Sequence, residues 1–103
     1  MKTEESQNRL KEIERALKEL KPSLESRFKV SELGIFGSYR RAEQKKRSDL
    51  DLLVEFSETV SLFDFVDLQD FLSDTLGVKV DLVMKDALKP GIKERVLTEA
   101  VYV

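Results

Sequence analysis

The stretch SDLDLLV at residues 48–54 decides the fold of this chain, because two carboxylates lead directly into an apolar run. Residues 50–56 are rich in Leu and Val, which predicts a strand. On a strand, side chains two positions apart point to the same face, about 7 Å apart. Asp49 and Asp51 therefore project together, and their mutual repulsion favours a neutralising divalent cation.

Composition limits the chemistry that is available to the chain. Its 103 residues, 41% of them hydrophobic, suit a single domain over 1–103. The net charge of −2 argues against binding nucleic acid by charge alone. The absence of Cys and His excludes disulfides, Cys–His catalysis and the usual zinc sites, which leaves carboxylates that favour Mg²⁺ or Mn²⁺. No signal peptide and no apolar run of ~18 residues is evident, so a cytoplasmic protein is expected.

Alternating helices and strands predict an α+β fold, a small mixed β-sheet flanked by helices. Residues 4–20 are predicted to form a helix, whose apolar stripe consists of Leu10, Ile13, Leu17 and Leu20. Pro22 is expected to break this helix at Lys21 and to start a short second turn through Phe28. Ser61 and Gly77 predict the start and end of another helix. The remaining predictions are strands at 32–36, 78–84 and 100–103, helices at 61–76 and 92–99, a helical turn at 38–42, a loop at 43–48 and a turn at Pro90-Gly91.

A third acid, Asp81, lies inside the apolar strand 78–84. A buried carboxylate there is costly without a partner. If this strand lies beside the strand at 50–56, Asp81 joins Asp49 and Asp51, and the three hold one or two metal ions; Asp81 then also helps to deprotonate an attacking hydroxyl. The alternative is that Asp49 and Asp51 are ordinary polar residues at a strand start and Asp81 lies on an exposed edge strand.

The turn at Gly37-Ser38 offers a place for a phosphate. Gly37 allows close backbone approach, Ser38 offers a hydroxyl and an N–H, and Arg41 lies on the same side of a helical turn, suited to bidentate phosphate binding. The alternative is an ordinary turn. The basic run at 45–47 is either a solvated loop or a second phosphate or nucleic-acid contact.

The helix at 61–76 carries a predicted core face and two aromatic residues outside it. Phe63 and Phe71 fall off that face, on a side rich in aspartate. They are either anchors for a partner protein or side chains that pack under neighbouring segments. The predicted core face consists of Leu62, Phe65, Val66, Leu68, Leu72 and Leu76.

The segments FGSYRRA at 36–42, SDLDLLV at 48–54 and VDLV at 80–83 together resemble the nucleotidyltransferase superfamily of DNA polymerase beta. More narrowly, they resemble the minimal nucleotidyltransferases of prokaryotes, over nearly the whole chain. One departure is Ala42, where members of this family often have Gly. The resemblance implies a mixed sheet, two Mg²⁺ ions and transfer of a nucleoside monophosphate from a nucleoside triphosphate to a hydroxyl.

By this resemblance, Gly37 and Ser38 hold the triphosphate, while Asp49, Asp51 and Asp81 hold the metal ions. Minimal members commonly pair with a small HEPN-domain toxin as its antitoxin, and some attach AMP from ATP to a toxin tyrosine. The expected function is therefore an antitoxin protein adenylyltransferase. The alternative is a non-catalytic antitoxin that neutralises its toxin by binding; small-molecule modification and DNA binding fit the short, acidic chain less well.

Overall fold

The structure is a computed structural model that describes residues 2–37 and 49–103, with side chains described from Asn8 onward. A four-stranded sheet has the order β3-β2-β1-β4, in which β2 and β3 are parallel and the other pairs antiparallel. The predicted α+β fold with a mixed sheet is confirmed. The elements are α1 Lys2–Phe28, β1 Val30–Phe36, β2 Leu50–Phe56, α2 Leu62–Leu76, β3 Val80–Met84, a 3₁₀ turn Lys85–Ala87, α3 Pro90–Glu99 and β4 Val101–Tyr102.

Helix α1 continues without a break through Pro22, so the predicted break at Lys21 and the separate turn through Phe28 are wrong. Leu17 and Leu24, on either side of the proline, are both fully buried in the core. Pro22 itself is exposed, so water can satisfy the carbonyl that its missing N–H leaves free. Packing of one continuous helix against the sheet outweighs the local cost of the proline.

Helix α2 has both predicted caps. The Ser61 hydroxyl accepts a hydrogen bond from the Asp64 N–H at 3.1 Å, and the Asp64 carboxylate accepts one from the Ser61 N–H at 3.4 Å. Gly77 ends the helix at φ +71°, the left-handed conformation that glycine adopts without strain. These caps fix where α2 begins and ends relative to the strand that follows it.

The core lies between one face of the sheet and the two helices α1 and α2. Ile13 and Leu17 of the predicted α1 stripe are buried in it, with Leu10 and Leu20 partly buried at its margin. The other side chains of this core come from both helices and three strands: Leu24, Val30, Leu33, Ile35, Leu50, Leu52, Val54, Leu68, Leu72, Val80 and Leu82.

Two residues near the start of α2 are exposed, although the sequence predicts them on the core face of the helix. Phe65, Leu68, Leu72 and Leu76 pack in or against the core as predicted. Leu62 and Val66 do not; they are 75% and 42% exposed. Phe65, between them in sequence, instead turns toward the sheet and packs against Phe56 of β2, with ring centroids 6.3 Å apart.

The two aromatic residues of α2 that lie outside its predicted core face have different surroundings. Phe71 packs on Phe28 with ring centroids 5.4 Å apart, as the packing alternative predicted. Phe63 is 81% exposed. With Leu62 and Val66 it forms an exposed apolar cluster on the first turns of α2, which we call the α2 patch.

The outer edge of β3 is bonded to side chains of α2. The N–H of Val80 donates to the Ser73 hydroxyl at 3.0 Å, and the N–H of Leu82 donates to the Gln69 side-chain oxygen at 3.0 Å. These groups point away from β2, so no strand in the described sheet pairs with them. The helix therefore both covers the sheet and satisfies the edge of its outermost strand.

Three predicted boundaries shift near the chain end. Strand β3 begins at Val80 rather than 78, and β4 covers only Val101–Tyr102. Helix α3 starts at Pro90, which occupies its first turn rather than a separate turn, because that position needs no N–H donor. The predicted turn at 38–42 and loop at 43–48 lie outside the described residues. Within 2–37 and 49–103, no helix is both long and apolar enough to cross a membrane.

Candidate active site

The predicted acids meet on the sheet face opposite α1 and α2. Leu50, Leu52 and Val80 point into the core, so the residues that alternate with them point to the other side. Asp51 and Asp81 are direct partners in the parallel β2–β3 register, which places their side chains next to each other. Sequence reasoning proposed this juxtaposition only on the condition that the two strands are neighbours, and they are.

Asp49 directly precedes β2 on the same side as Asp51. Its Oδ2 lies 4.0 Å from the Nζ of Lys79, which directly precedes β3. The Leu50 N–H donates to the Lys79 carbonyl at 2.8 Å, so the pairing of the two strands extends to this point. Lys79 was missed in the sequence, although the patterns DLD at 49–51 and KVD at 79–81 match position for position once the strands are parallel.

Gly37 lies against Asp51 at the end of β1. The antiparallel register places Phe36 opposite Asp51, and Gly37 follows with φ +74°. A Cβ built on Gly37 would overlap Oδ2 of Asp51 and lie 3.0 Å from its Cγ and 3.2 Å from its Cβ. Glycine is thus required here twice, for the backbone conformation and for the space that the carboxylate fills.

The other predicted phosphate-binding residues cannot be placed. Ser38 and Arg41 lie outside the described residues, together with Ala42 and the basic run at 45–47. Gly37 is the part of the predicted phosphate turn that the structure describes, and its close neighbour is a predicted metal ligand. Gly37 and the Asp51 carboxylate therefore meet at the paired ends of β1 and β2.

The donor set fits a hard divalent cation in its chemistry, since carboxylate oxygens are the ligands that Mg²⁺ prefers. Within 2–37 and 49–103, however, no three acidic side chains are gathered closely enough to enclose an ion. Asp49 is held toward Lys79, while Asp51 and Asp81 are side by side. The strand register brings the three acids to one face of the sheet, and the contact with Lys79 holds the Asp49 carboxylate toward β3.

A second charged group lies on the same sheet face, farther along the strands. Nζ of Lys85 is 3.2 Å from Glu32 and 3.6 Å from Glu55. The hydrogen bond that Lys85 donates to the Glu32 carboxylate raises the pKa of Lys85 above its usual value, and the charges of both glutamates act in the same direction. This cluster ties the ends of β1, β2 and β3 together, and it lies at the opposite end of the strands from the three aspartates.

Comparison with known proteins agrees with this architecture. Residues 4–103 match the family model described as "Nucleotidyltransferase domain". The chain is 52% identical to the protein adenylyltransferase MntA of Thermococcus cleftensis over 94 residues, 91% of this chain and 95% of that protein. It therefore belongs to the nucleotidyltransferase domain family, and its enzyme class is nucleotidyltransferase.

Solved structures show the same likeness. A structure described as a minimal nucleotidyltransferase is 37% identical and superposes with a TM-score of 0.70, over 98% of this chain and 95% of that one. A toxin–antitoxin structure with AMP-PNP is 25% identical, with a TM-score of 0.65 over 93% of this chain and 70% of that one. The resemblance drawn from the three sequence segments is thus confirmed at the level of the family and the fold.

Proposed function

We propose that the chain is an antitoxin that transfers AMP from ATP to a hydroxyl of its toxin, a tyrosine of a HEPN-domain protein. The observation that carries the proposal is the pairing of Asp51 with Asp81 directly beside Gly37. It puts two carboxylates, with Asp49 on the same face, against the turn expected to receive phosphate. The similar MntA adenylyltransferase and the toxin–antitoxin structure with AMP-PNP support the choice of nucleotide and partner.

Asp49, Asp51 and Asp81 are the residues that would hold Mg²⁺, which when bound neutralises charge on the triphosphate and the leaving pyrophosphate. Gly37, whose left-handed backbone turns the chain at the end of β1, is proposed to contact the triphosphate through its backbone, and Ser38 and Arg41 are proposed as further phosphate contacts. The acceptor oxygen bonds to the α-phosphorus, the bond to pyrophosphate breaks, and the hydroxyl proton passes to a carboxylate. Asp81 is the proposed base, because it lies on the edge strand and is exposed to an incoming acceptor.

The test is transfer of label from α-labelled ATP to a HEPN-domain toxin, with Mg²⁺ present. Asp51→Asn and Asp81→Asn should each lower transfer at least about 100-fold, since each removes a carboxylate that is proposed to hold the catalytic Mg²⁺. Asp74→Asn is the matched control, because Asp74 is an exposed aspartate on α2, behind the sheet. Full transfer in both site variants would refute the assignment.

A second candidate function is neutralisation by binding alone. The α2 patch favours it, because Phe63 and Leu62 are large apolar side chains with most of their surface exposed. Toxin inhibition that persists in the Asp51→Asn, Asp81→Asn double variant, with no label transfer in the wild type, would establish this alternative. Inhibition that is lost together with transfer would exclude it.

A further inference from the structure

The inference concerns Lys79, one of four charged residues that lie next to each other where β2 and β3 begin. Asp49 and Lys79 directly precede neighbouring parallel strands, and Asp51 and Asp81 follow two residues later in the same register. All four side chains alternate with core residues and so lie on one face of the sheet. The ammonium group of Lys79 thus lies beside Asp49, one of the three acids that the proposed function assigns to Mg²⁺.

A contribution to the stability of the fold does not account for a lysine at position 79. Its side chain is 81% exposed, and that of Asp49 is 42% exposed. Exposed ion pairs of this kind contribute little to folding, because water and salt screen them and two long side chains lose freedom. The contact is better explained by what else the Asp49 carboxylate has to bind.

We propose that Lys79 competes with the divalent cation for Asp49 and so weakens binding of the free ion in the absence of nucleotide. The ammonium group satisfies Asp49 and adds a positive charge that repels an incoming cation. The cation then binds well only when a nucleoside triphosphate supplies further ligand oxygens and negative charge. Because its stem is exposed, Lys79 is able to swing away once an ion occupies Asp49. This inference rests on the proposed function and adds a positioning residue to it.

The consequence is a coupling between two ligands. Lys79 weakens binding of the free ion more than binding of the ion together with nucleotide, so nucleotide raises the affinity for the metal. By linkage, the metal raises the affinity for nucleotide by the same factor. Replacing Lys79 by a neutral side chain of similar length should reduce this coupling. A role in stability alone would leave the coupling unchanged.

The experiment measures Mn²⁺ affinity by electron paramagnetic resonance, with and without a non-hydrolysable ATP analogue. Lys79→Met should bind free Mn²⁺ about 2- to 5-fold more tightly than the wild type, with a smaller gain when the analogue is present. Lys79→Arg should behave like the wild type. Lys93→Met is the matched control, because Lys93 on α3 also forms an ion pair with an aspartate, Asp86, at 3.9 Å.

Two results would overturn the inference. One is equal free Mn²⁺ affinity in Lys79→Met and the wild type; the other is an equal gain in Lys93→Met, which would indicate a general effect of net charge. Asp51→Asn separates this outcome from failure of the proposed function. If Asp51→Asn abolishes Mn²⁺ binding while Lys79→Met changes nothing, only the role of Lys79 fails. If Asp51→Asn leaves Mn²⁺ binding intact, the metal assignment itself fails.

Discussion

Replacing Gly37 by alanine should damage the site and the fold by two separable effects. The first is the left-handed backbone at φ +74°, which costs an alanine about 1–2 kcal/mol. The second is crowding, because the new Cβ overlaps the Asp51 carboxylate and lies 3.0 Å from its Cγ. Relief of that overlap requires Asp51 to turn away or β1 and β2 to separate at their paired ends, which adds about 1–2 kcal/mol.

Gly77 provides the control that separates the two effects. It has nearly the same backbone angle, φ +71°, and a Cβ built on it meets nothing within 4 Å. Gly77→Ala should therefore lose only the backbone contribution to the free energy of unfolding. The difference between the two variants, measured by urea unfolding, gives the crowding contribution at Gly37.

The same variant should have a large effect on activity. Displacing one carboxylate by about 1 Å lowers turnover by roughly 100-fold when positioning governs the reaction. Label transfer by Gly37→Ala should fall by this order, while Gly77→Ala keeps its activity after correction for the folded fraction. Equal unfolding free energies for the two alanine variants, together with unchanged transfer, would refute the view that Gly37 makes room for Asp51.

Three further predictions concern the scaffold. Pro22→Ala should raise the free energy of unfolding by up to about 3 kcal/mol, because α1 gains an N–H donor; a lower melting temperature would contradict this. Gln69→Ala should lower the free energy of unfolding by about 1–3 kcal/mol and speed amide hydrogen exchange at Leu82, because the Leu82 N–H loses its acceptor. Asp70→Ala, at the exposed neighbouring position, should change neither quantity. Folding raises the pKa of Lys85, so its ion pairs contribute fully to the free energy of unfolding at pH values below the ordinary pKa of 10.5. This contribution is lost as the pH rises through the pKa of Lys85 in the folded state. The stability difference between wild type and Lys85→Met, followed by denaturation against pH, should therefore stay constant through neutral pH and shrink only in alkali.

Features that depend on a few adjacent residues could be predicted from the sequence. The caps of α2 follow from Ser61 and Gly77, because a serine hydroxyl and a left-handed glycine each act within one helical turn. The shared face of Asp49 and Asp51 follows from the alternation of a strand. The family resemblance rested on such local segments, and the comparisons confirmed the family.

Features that depend on which elements become neighbours could not be predicted. The continuity of α1 through Pro22 depends on the sheet that buries Leu17 and Leu24. The position of Lys79 beside Asp49 depends on the parallel register of β2 and β3. The second reason for Gly37, the space taken by the Asp51 carboxylate, depends on the antiparallel register of β1 and β2.

The bonds from α2 to the outer edge of β3 limit how a partner can attach. A peptide that extends a sheet needs free N–H and C=O groups along an edge strand. On β3 the N–H groups of Val80 and Leu82 already bond to Ser73 and Gln69, and the opposite edge strand, β4, has only two residues. Recognition of a partner by β-augmentation is thus disfavoured at β3, and under the proposed function the acceptor would reach the acids across the sheet face.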